Sequence, residues 1–548
     1  MSKMVRIISL LLVPLLITLG IMTLHGDGVL AQSPTYWSKT YGGADQDRAM
    51  CVDQTSDGGI IVAGYTESFG AGDEDIWIVK LDSNGNVEWQ KTYGGSDVER
   101  ARSIQQTTDD GYIVAGFTES FGAGVVDCWL LKLDSNGNVE WQKTYGGNDG
   151  DLARCVKQTS DGGYIVAGST ESFGAGEGDF WILKLTSTGD VEWQKSCGGS
   201  NWDVSHSVQQ TSDGGYIVAG YTESFGAGED DIWIVKFASN GNFEWQKTYG
   251  GSSWDGAYSI QQTADGGYIA AGYTGSFGAG DDDFWVLKLA SNGTVEWQKT
   301  YGSASWEFAI SIQQTSDDGY IVTGETGSFG AGEGDIWLIK LASTGNAQWQ
   351  KTYGGGTWED VDSVMETSDG GFVVAGATES FGAGSDDLWV LRLNENGSIP
   401  ECSLVMDSNI TEMDTQSTVG DTTSTISDTV ASVTIPIHWV SVSGCITNTQ
   451  CYYSSTVPME TWDCPLGGVT LIAPYPIQGR PLLTVVVDPA QITVSAGASL
   501  WGIYYLDETT GEWLYFIPGF TGSTLTQLEP DEFYLVVVSG SCTLSVPQ

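Results

Sequence analysis

Seven tryptophans, Trp37, Trp89, Trp141, Trp193, Trp245, Trp297 and Trp349, stand 52 residues apart with no insertion between any two. A second set, Trp77, Trp129, Trp181, Trp233, Trp285, Trp337 and Trp389, keeps the same spacing. Self-similarity at this period restricts a chain to solenoids, propellers and arrays, because one unit alone cannot bury its apolar face. Within residues 101–146 the runs ARSIQQT, YIVAGFT, CWLLKLD and NVEWQKTYG are short, and TDDG and SNG separate the outer pairs. Glycine-containing turns of this kind join hairpin strands. The second run is almost continuously apolar, as a strand covered on both faces must be. The fourth alternates, with Val139, Trp141, Lys143 and Tyr145 on one side and Glu140, Gln142 and Thr144 on the other. That pattern predicts an outer strand with one wet face. No stretch carries a helical period. Four antiparallel strands per unit, repeated at fixed length, predict a seven-bladed β-propeller.

The chain ends say how the ring closes. The seventh unit stops after three strands, at LWVLRLNENG, and SIPECSL follows where a WQKTY strand belongs. The missing strand stands at the other end, as TYWSKTYGG (Thr35–Gly43). It is expected to pair with the third strand of blade seven and latch the ring, removing two exposed sheet edges. Residues 1–31, with Lys3 and Arg6 before an apolar run and Val29-Leu30-Ala31 at the end, form a signal peptide in this reading. The propeller then spans 32–402. Residues 403–436, rich in Ser, Thr and Asp and holding the sequon Asn409-Ile410-Thr411, are expected as an extended linker or a ragged strand stack. From 437 to 548, LLTVVVD, SLWGIYYLD, EWLYFIPG and EFYLVVVSG predict a small C-terminal β-sandwich. The fold class is all-β throughout.

Units that read like SIQQTSDGGYIVAGYTESFGAG resemble the secreted β-propeller-repeat proteins of bacteria and archaea, over residues 35 to about 400. DIWIVKLDSNGNVEWQK, with two tryptophans across a hairpin, resembles a kelch unit. The WD40 pattern fits less well, because Trp254-Asp255 lies between blades and no Gly-His precedes it. The resemblance implies a binding or surface role more often than an enzyme, and it names no ligand.

Seventy acidic residues against 22 basic ones give a formal charge of -48. Such a field repels phosphate backbones and anionic lipid heads, so nucleic acid and membrane surfaces are poor partners, and no nucleic acid is expected as one. No membrane span is expected in the mature chain. Only His206 and His438 follow the leader, and neither lies in a nucleophile motif. A histidine triad or a multi-imidazole copper or zinc centre is therefore not expected. Cys51, Cys128, Cys155 and Cys197 are scattered in the blades as small buried thiols. Cys402, Cys445, Cys451, Cys464 and Cys542 gather around the tail, where export favours disulfides. No catalytic residue is assigned. Paired carboxylates for glycoside hydrolysis are too common here to carry weight.

Two carboxylates recur in every blade. One series opens the first strand: Asp47, Glu99, Asp151, Asp203, Asp255, Glu307 and Glu359. The other precedes the third strand: Asp75, Asp127, Asp179, Asp231, Asp283, Asp335 and Asp387. Both belong to one rim, beside the FGAG turns. Calcium, a hard cation needing several oxygens, is the one cofactor such a rim could hold. Repetition in all seven blades favours the alternative, that each acid accepts N–H bonds from its glycine turn.

Differences between blades carry the functional expectation. Trp202, Trp254, Trp306 and Trp358 occupy the blade-to-blade loop in blades four to seven, where blades one to three have Gln46, Val98 and Gly150. Arg48, Arg100, Arg102 and Arg154 gather near the same loops of blades one to three. A flat aromatic beside a carboxylate can stack on a sugar ring while the acid accepts from its hydroxyls. Packing of each tryptophan over a neighbouring FGAG turn is the structural alternative. The expectation is a secreted or cell-surface, non-catalytic binding or adhesion protein, using the acidic, loop-rich face for a glycan or a surface protein. A structural or calcium-dependent surface protein and a polysaccharide-acting enzyme are the alternatives.

Overall fold

A computed structural model of the chain describes residues 35–400, Cys402 and eleven short strands between Val405 and Ser545. The expected leader, 1–31, lies outside the described residues. Seven antiparallel sheets stand in a ring, and no helix among the described residues is long and apolar enough to cross a membrane. Blade 1 is typical, with strands Asp47–Gln54, Ile60–Thr66, Asp75–Leu81 and Val87–Tyr93 in sequential order. The first strands meet one another around the axis. The fourth strands form the circumference.

Blade 7 takes its outer strand from the other end of the chain. Thr35–Gly42 pairs antiparallel with Asp387–Leu393, in a register that sets Trp37 opposite Arg392 and Tyr41 opposite Leu388. The latch expected from TYWSKTYGG is present, and Trp37 and Tyr41 are fully buried in it.

The hydrophobic cores lie between blades. Ile61 and Ala63 of blade 1, for example, pack with Tyr112, Val114 and Trp129 of blade 2. Second and third strands are buried along their whole length, except at Tyr221 and Glu325, because both faces abut a neighbour. The same contacts correct the expected wet face of the fourth strand. Glu140 is exposed, but Gln142 and Thr144 are buried; Gln142 stands opposite Leu131, whose face packs on the preceding blade. Trp141 packs edge-on against Tyr164 at 5.9 Å, and the Tyr145 hydroxyl donates to the Gly189 carbonyl at 2.7 Å, both across a blade boundary. Cys128, Cys155 and Cys197 are buried free thiols as expected, Cys51 is partly buried, and Cys402 is disulfide-bonded.

Residues 403–436, expected as a linker or a strand stack, supply five short strands. Val405–Asp407 adds to blade 6, Thr411–Asp414 to blade 5, Thr418–Asp421 to blade 4, Thr425–Asp428 to blade 3 and Ser432–Thr434 to blade 2. Each runs antiparallel to the blade's fourth strand, and the tail visits the blades in reverse order. The register sets Asp407, Asp414, Asp421 and Asp428 opposite Lys351, Lys299, Lys247 and Lys195. A seven-residue step in the tail thus meshes with the 52-residue step of the ring. Ile446–Ser454 lies beside the latch strand. Farther on, Leu500–Asp507 pairs with Glu512–Phe516 and Leu535–Val538, and Thr493–Val494 with Leu544–Ser545. Most of the sandwich expected over 437–548 lies outside the described residues.

Candidate ligand-binding site

Every first strand carries a β-bulge. In blade 3 the ladder pairs Ala153 with Gly168 and Cys155 with Ala167, leaving Arg154 out of register. A bulge leaves its extra residue unpaired and re-aims the side chain. Glycine is needed opposite, because a Cβ on Gly168 would lie 1.8 Å from the Leu152 carbonyl oxygen. The bulged residues of blades 1 to 7 are Met50, Arg102, Arg154, His206, Tyr258, Ile310 and Asp362. Seven equivalent positions thus carry six residue types on the strands that line the axis.

Where the basic residues stand sharpens this. Nineteen of the chain's Lys and Arg fall in 35–400. Seven, Lys80 through Arg392, sit in third strands, and each pairs with the Asp of its own first hairpin turn. Seven more, Lys39 through Lys351, recur in the outer strands. The remaining five, Arg48, Arg100, Arg102, Arg154 and Lys157, all lie in the first strands of blades 1 to 3. They are the basic residues that the repeat does not require.

The arginines expected near the loops lie on the first strands that follow them, Arg48 and Arg100 one residue in and Arg102 and Arg154 at the bulges. Arg48 forms an ion pair with Asp360, and Arg100 makes a bidentate pair with Glu74 while lying 4.3 Å above the Tyr65 ring. Arg102 and Arg154 make no ion pair or hydrogen bond among the described residues, and the Arg154 Nε is buried without an acceptor. Burial, then the neighbouring Arg154, push the Arg102 guanidinium down to about 10. Burial and the two arginines drive His206 well below the usual imidazole value, so its ring is neutral. Across the channel, burial raises Asp362 to about 6 against the pull of Arg48 and Arg102. Glu325 rises to about 7, by burial and by Asp362.

An aromatic arc completes the mouth. His206 meets Tyr258 at 4.6 Å, Tyr258 meets Tyr273 at 5.7 Å, and Tyr273 meets Phe308 at 5.2 Å. Phe308 lies 5.7 Å from Trp306, and Trp306 stacks on Trp358. The Trp358 Nε1 donates to Asp360 at 2.5 Å, which closes the arc on the partner of Arg48. The four loop tryptophans are thus not equivalent. Trp202 is half-buried over Gly178, where an added Cβ would lie 2.5 Å from its ring. Trp306 and Trp358 are half-buried against each other. Trp254 is 55% exposed. It lines a pocket of about 700 Å³ with Asn201, Tyr221, Glu223, Gly228, Glu229, Asp230, Tyr258 and Tyr273. Burial, then Glu223 and Glu229, raise Asp230 to about 6. Tyr258 belongs to both pocket and channel, so the two are continuous.

The fourteen rim carboxylates are engaged by turns. Asp151 accepts from the Gly147 N–H at 2.7 Å and the Ser172 hydroxyl at 2.7 Å, while Asp179 accepts from the Ala175 N–H at 2.9 Å. Equivalent bonds recur in all blades. The third-strand acid of one blade faces the first-strand acid of the next across a glycine, as Asp179 and Asp203 do at Gly198. Among the described residues no three His, Cys, Asp or Glu side chains cluster to hold a metal ion.

Fold and site together define a seven-bladed β-propeller with an asymmetric channel mouth. Residues 55–88 and 367–399 match a β-propeller domain family of unknown function, DUF5122. The chain is 25% identical over 209 residues to the regulatory protein FlaEY of Caulobacter vibrioides; the match takes in 35% of this chain and 20% of that protein. It thus spans about a fifth of that relative's length. Among solved structures, Sqt1 from Chaetomium thermophilum is similar over 66% of this chain and 98% of its own, at 11% identity and a TM-score of 0.37. The tail fibre of Staphylococcus aureus phage P68 matches over 63% and 91%, at 9% identity and a TM-score of 0.19.

Proposed function

We propose that the propeller is a non-catalytic binding module, working outside the cell, that takes a saccharide at its channel mouth on the side of blades 4 and 5. The observation that carries this is Trp254. It is the one loop tryptophan that is mostly exposed, and it lines a pocket with Tyr258, Tyr273, Glu223, Asp230 and Asn201. An aromatic face with carboxylate and amide acceptors at its edge suits a sugar ring and its hydroxyls. The pocket is an open depression of about 700 Å³, large enough for a short saccharide segment. The leader-like 1–31 and the disulfide at Cys402 support an oxidising, exported setting. The test is retention of the full chain on immobilised glycans and cell-wall polysaccharides, beside Trp254→Ala. Absence of retention on every glycan removes the reading.

One observation favours an enzyme as a second reading. Asp230, raised to about 6 beside Glu223 and Glu229, has the environment of a general acid. Turnover of an oligosaccharide, abolished by Asp230→Asn, would establish it.

A further inference from the structure

We infer that Arg102 and Arg154 form an anion socket in the channel, which takes the carboxylate or sulfate of an acidic saccharide seated in the adjoining pocket. This rests on the saccharide reading above and names the class of saccharide.

The warrant is a missing counter-charge. The chain has 70 acidic residues, and every third-strand basic residue of the propeller has an acidic partner. Arg48 and Arg100 at the channel mouth have theirs in Asp360 and Glu74. Arg102 and Arg154, on adjacent blades, bond to no carboxylate; Arg102 feels Asp362, which it shares with Arg48, while no carboxylate acts on Arg154, whose neighbour toward blade 4 is the neutral His206. Two half-buried like charges with a single shared carboxylate, Asp362, between them and Arg48 are destabilising, and a fold with acids to spare could have neutralised them cheaply. The free Arg154 Nε is a buried donor without an acceptor. A guanidinium presents parallel N–H donors that match the two oxygens of a carboxylate or sulfate.

Position ties the socket to the pocket. Tyr221 and Tyr258 line the pocket and are also the titratable neighbours of Arg154. A ring stacked at Trp254 and Tyr258 therefore directs a substituent toward Arg154. The surroundings restrict the ligand further. Glu223, Glu229 and Asp230 edge the same pocket, so a polyanion is repelled while one isolated negative group reaching the channel is accepted. The fitting ligand is a largely neutral saccharide bearing a single acidic residue.

The experiment is calorimetric titration of the full chain with a neutral oligosaccharide ending in glucuronate, its methyl ester, and a singly sulfated counterpart. Wild type should bind an acidic form at least tenfold more tightly than the ester, with affinity falling as NaCl is raised. The carboxylate and sulfate arms show which anion is preferred. Arg154→Met and Arg102→Met should remove the tenfold preference, keep the residual affinity for the ester, and leave the melting temperature unchanged or higher. Arg154→Lys should retain part of the preference. Equal binding of acid and ester overturns the socket and leaves the saccharide pocket standing. Loss of folding in both methionine variants assigns the arginines a structural role and also overturns it. If no saccharide binds, inorganic sulfate separates the two ideas. A thermal upshift in wild type that is absent from Arg154→Met keeps the socket and sinks the saccharide, and no upshift sinks both.

Discussion

Trp306 stacks on Trp358 with ring centroids 5.1 Å apart and planes 16° from parallel, whereas Trp254, one repeat earlier, is 55% exposed and joins no aromatic pair among the described residues. Equivalent positions therefore carry different loads. Trp306→Ala should cost about 1–3 kcal/mol of stability by chemical denaturation, through lost stacking and burial. Trp254→Ala should change stability by no more than about 0.5 kcal/mol while abolishing glycan retention. Equal destabilisation by both would place Trp254 in the fabric of the ring.

The latch strand gives a prediction about closure. Trp37 donates through Nε1 to the Ser83 carbonyl at 3.2 Å, and Trp389 donates to the Ser38 hydroxyl at 2.7 Å. Trp37→Ala should cost about 3–5 kcal/mol, the usual loss for a buried tryptophan. A chain beginning after Gly42 should melt far below the intact one, because Asp387–Leu393 loses its outer partner. An unchanged melting curve for that truncation would falsify the latch.

Stability should fall as pH rises from about 4 to about 7. Asp179, Asp230 and Asp362 are raised to about 6 and Glu325 to about 7, in each case by burial first. Between their ordinary values and these, the folded state binds more protons than the unfolded one. Their contribution is thus fully present below pH 4 and lost as pH climbs through 6 to 7. On the acid side, hydrogen bonds from Thr159, Gly163 and Lys184 outweigh burial and hold Asp161 at about 2. Asp265 and Asp317 are held likewise, and that contribution disappears below about pH 4. Melting temperature scanned from pH 3 to 8 should peak near pH 4 to 5. A continuous rise to pH 8 would contradict the assignment.

Chelation tests the rim. Each of the fourteen carboxylates already accepts turn N–H or hydroxyl bonds. Addition of a calcium chelator should therefore shift the melting temperature by less than about 1 °C, under about 1 kcal/mol for a ring of this size. A larger drop, restored by calcium, would assign these acids to a structural metal.

The ring is legible in the sequence because blade spacing, apolar second and third strands and glycine turns all point the same way. The truncated seventh unit reveals the latch by subtraction. The site is legible only in part. Trp254 stands out as a departure from the repeat, but a bulge leaves no mark within one unit, so Arg102 and Arg154 look like loop neighbours. Alignment of the seven units holds the missing signal, since Met50, Arg102, Arg154, His206, Tyr258, Ile310 and Asp362 vary while Ala49 and Val52 keep small or apolar equivalents. The rim strands of the tail are hidden because runs of three or four residues with one or two apolar members are too short to display an alternating pattern. Their trace is the spacing of Asp407, Asp414, Asp421 and Asp428.

That tail changes how the molecule takes a pull. Tension on the C-terminal side reaches Ser432–Thr434 on blade 2 before it reaches Val405–Asp407 on blade 6. Each strand is edge-paired over three or four residues, so it yields by peeling rather than by shear. Every detachment pays out seven residues, roughly 23–25 Å of chain. The belt therefore acts as a row of separate load-limiting links, extending step by step while the ring behind it stays closed and its mouth keeps its shape.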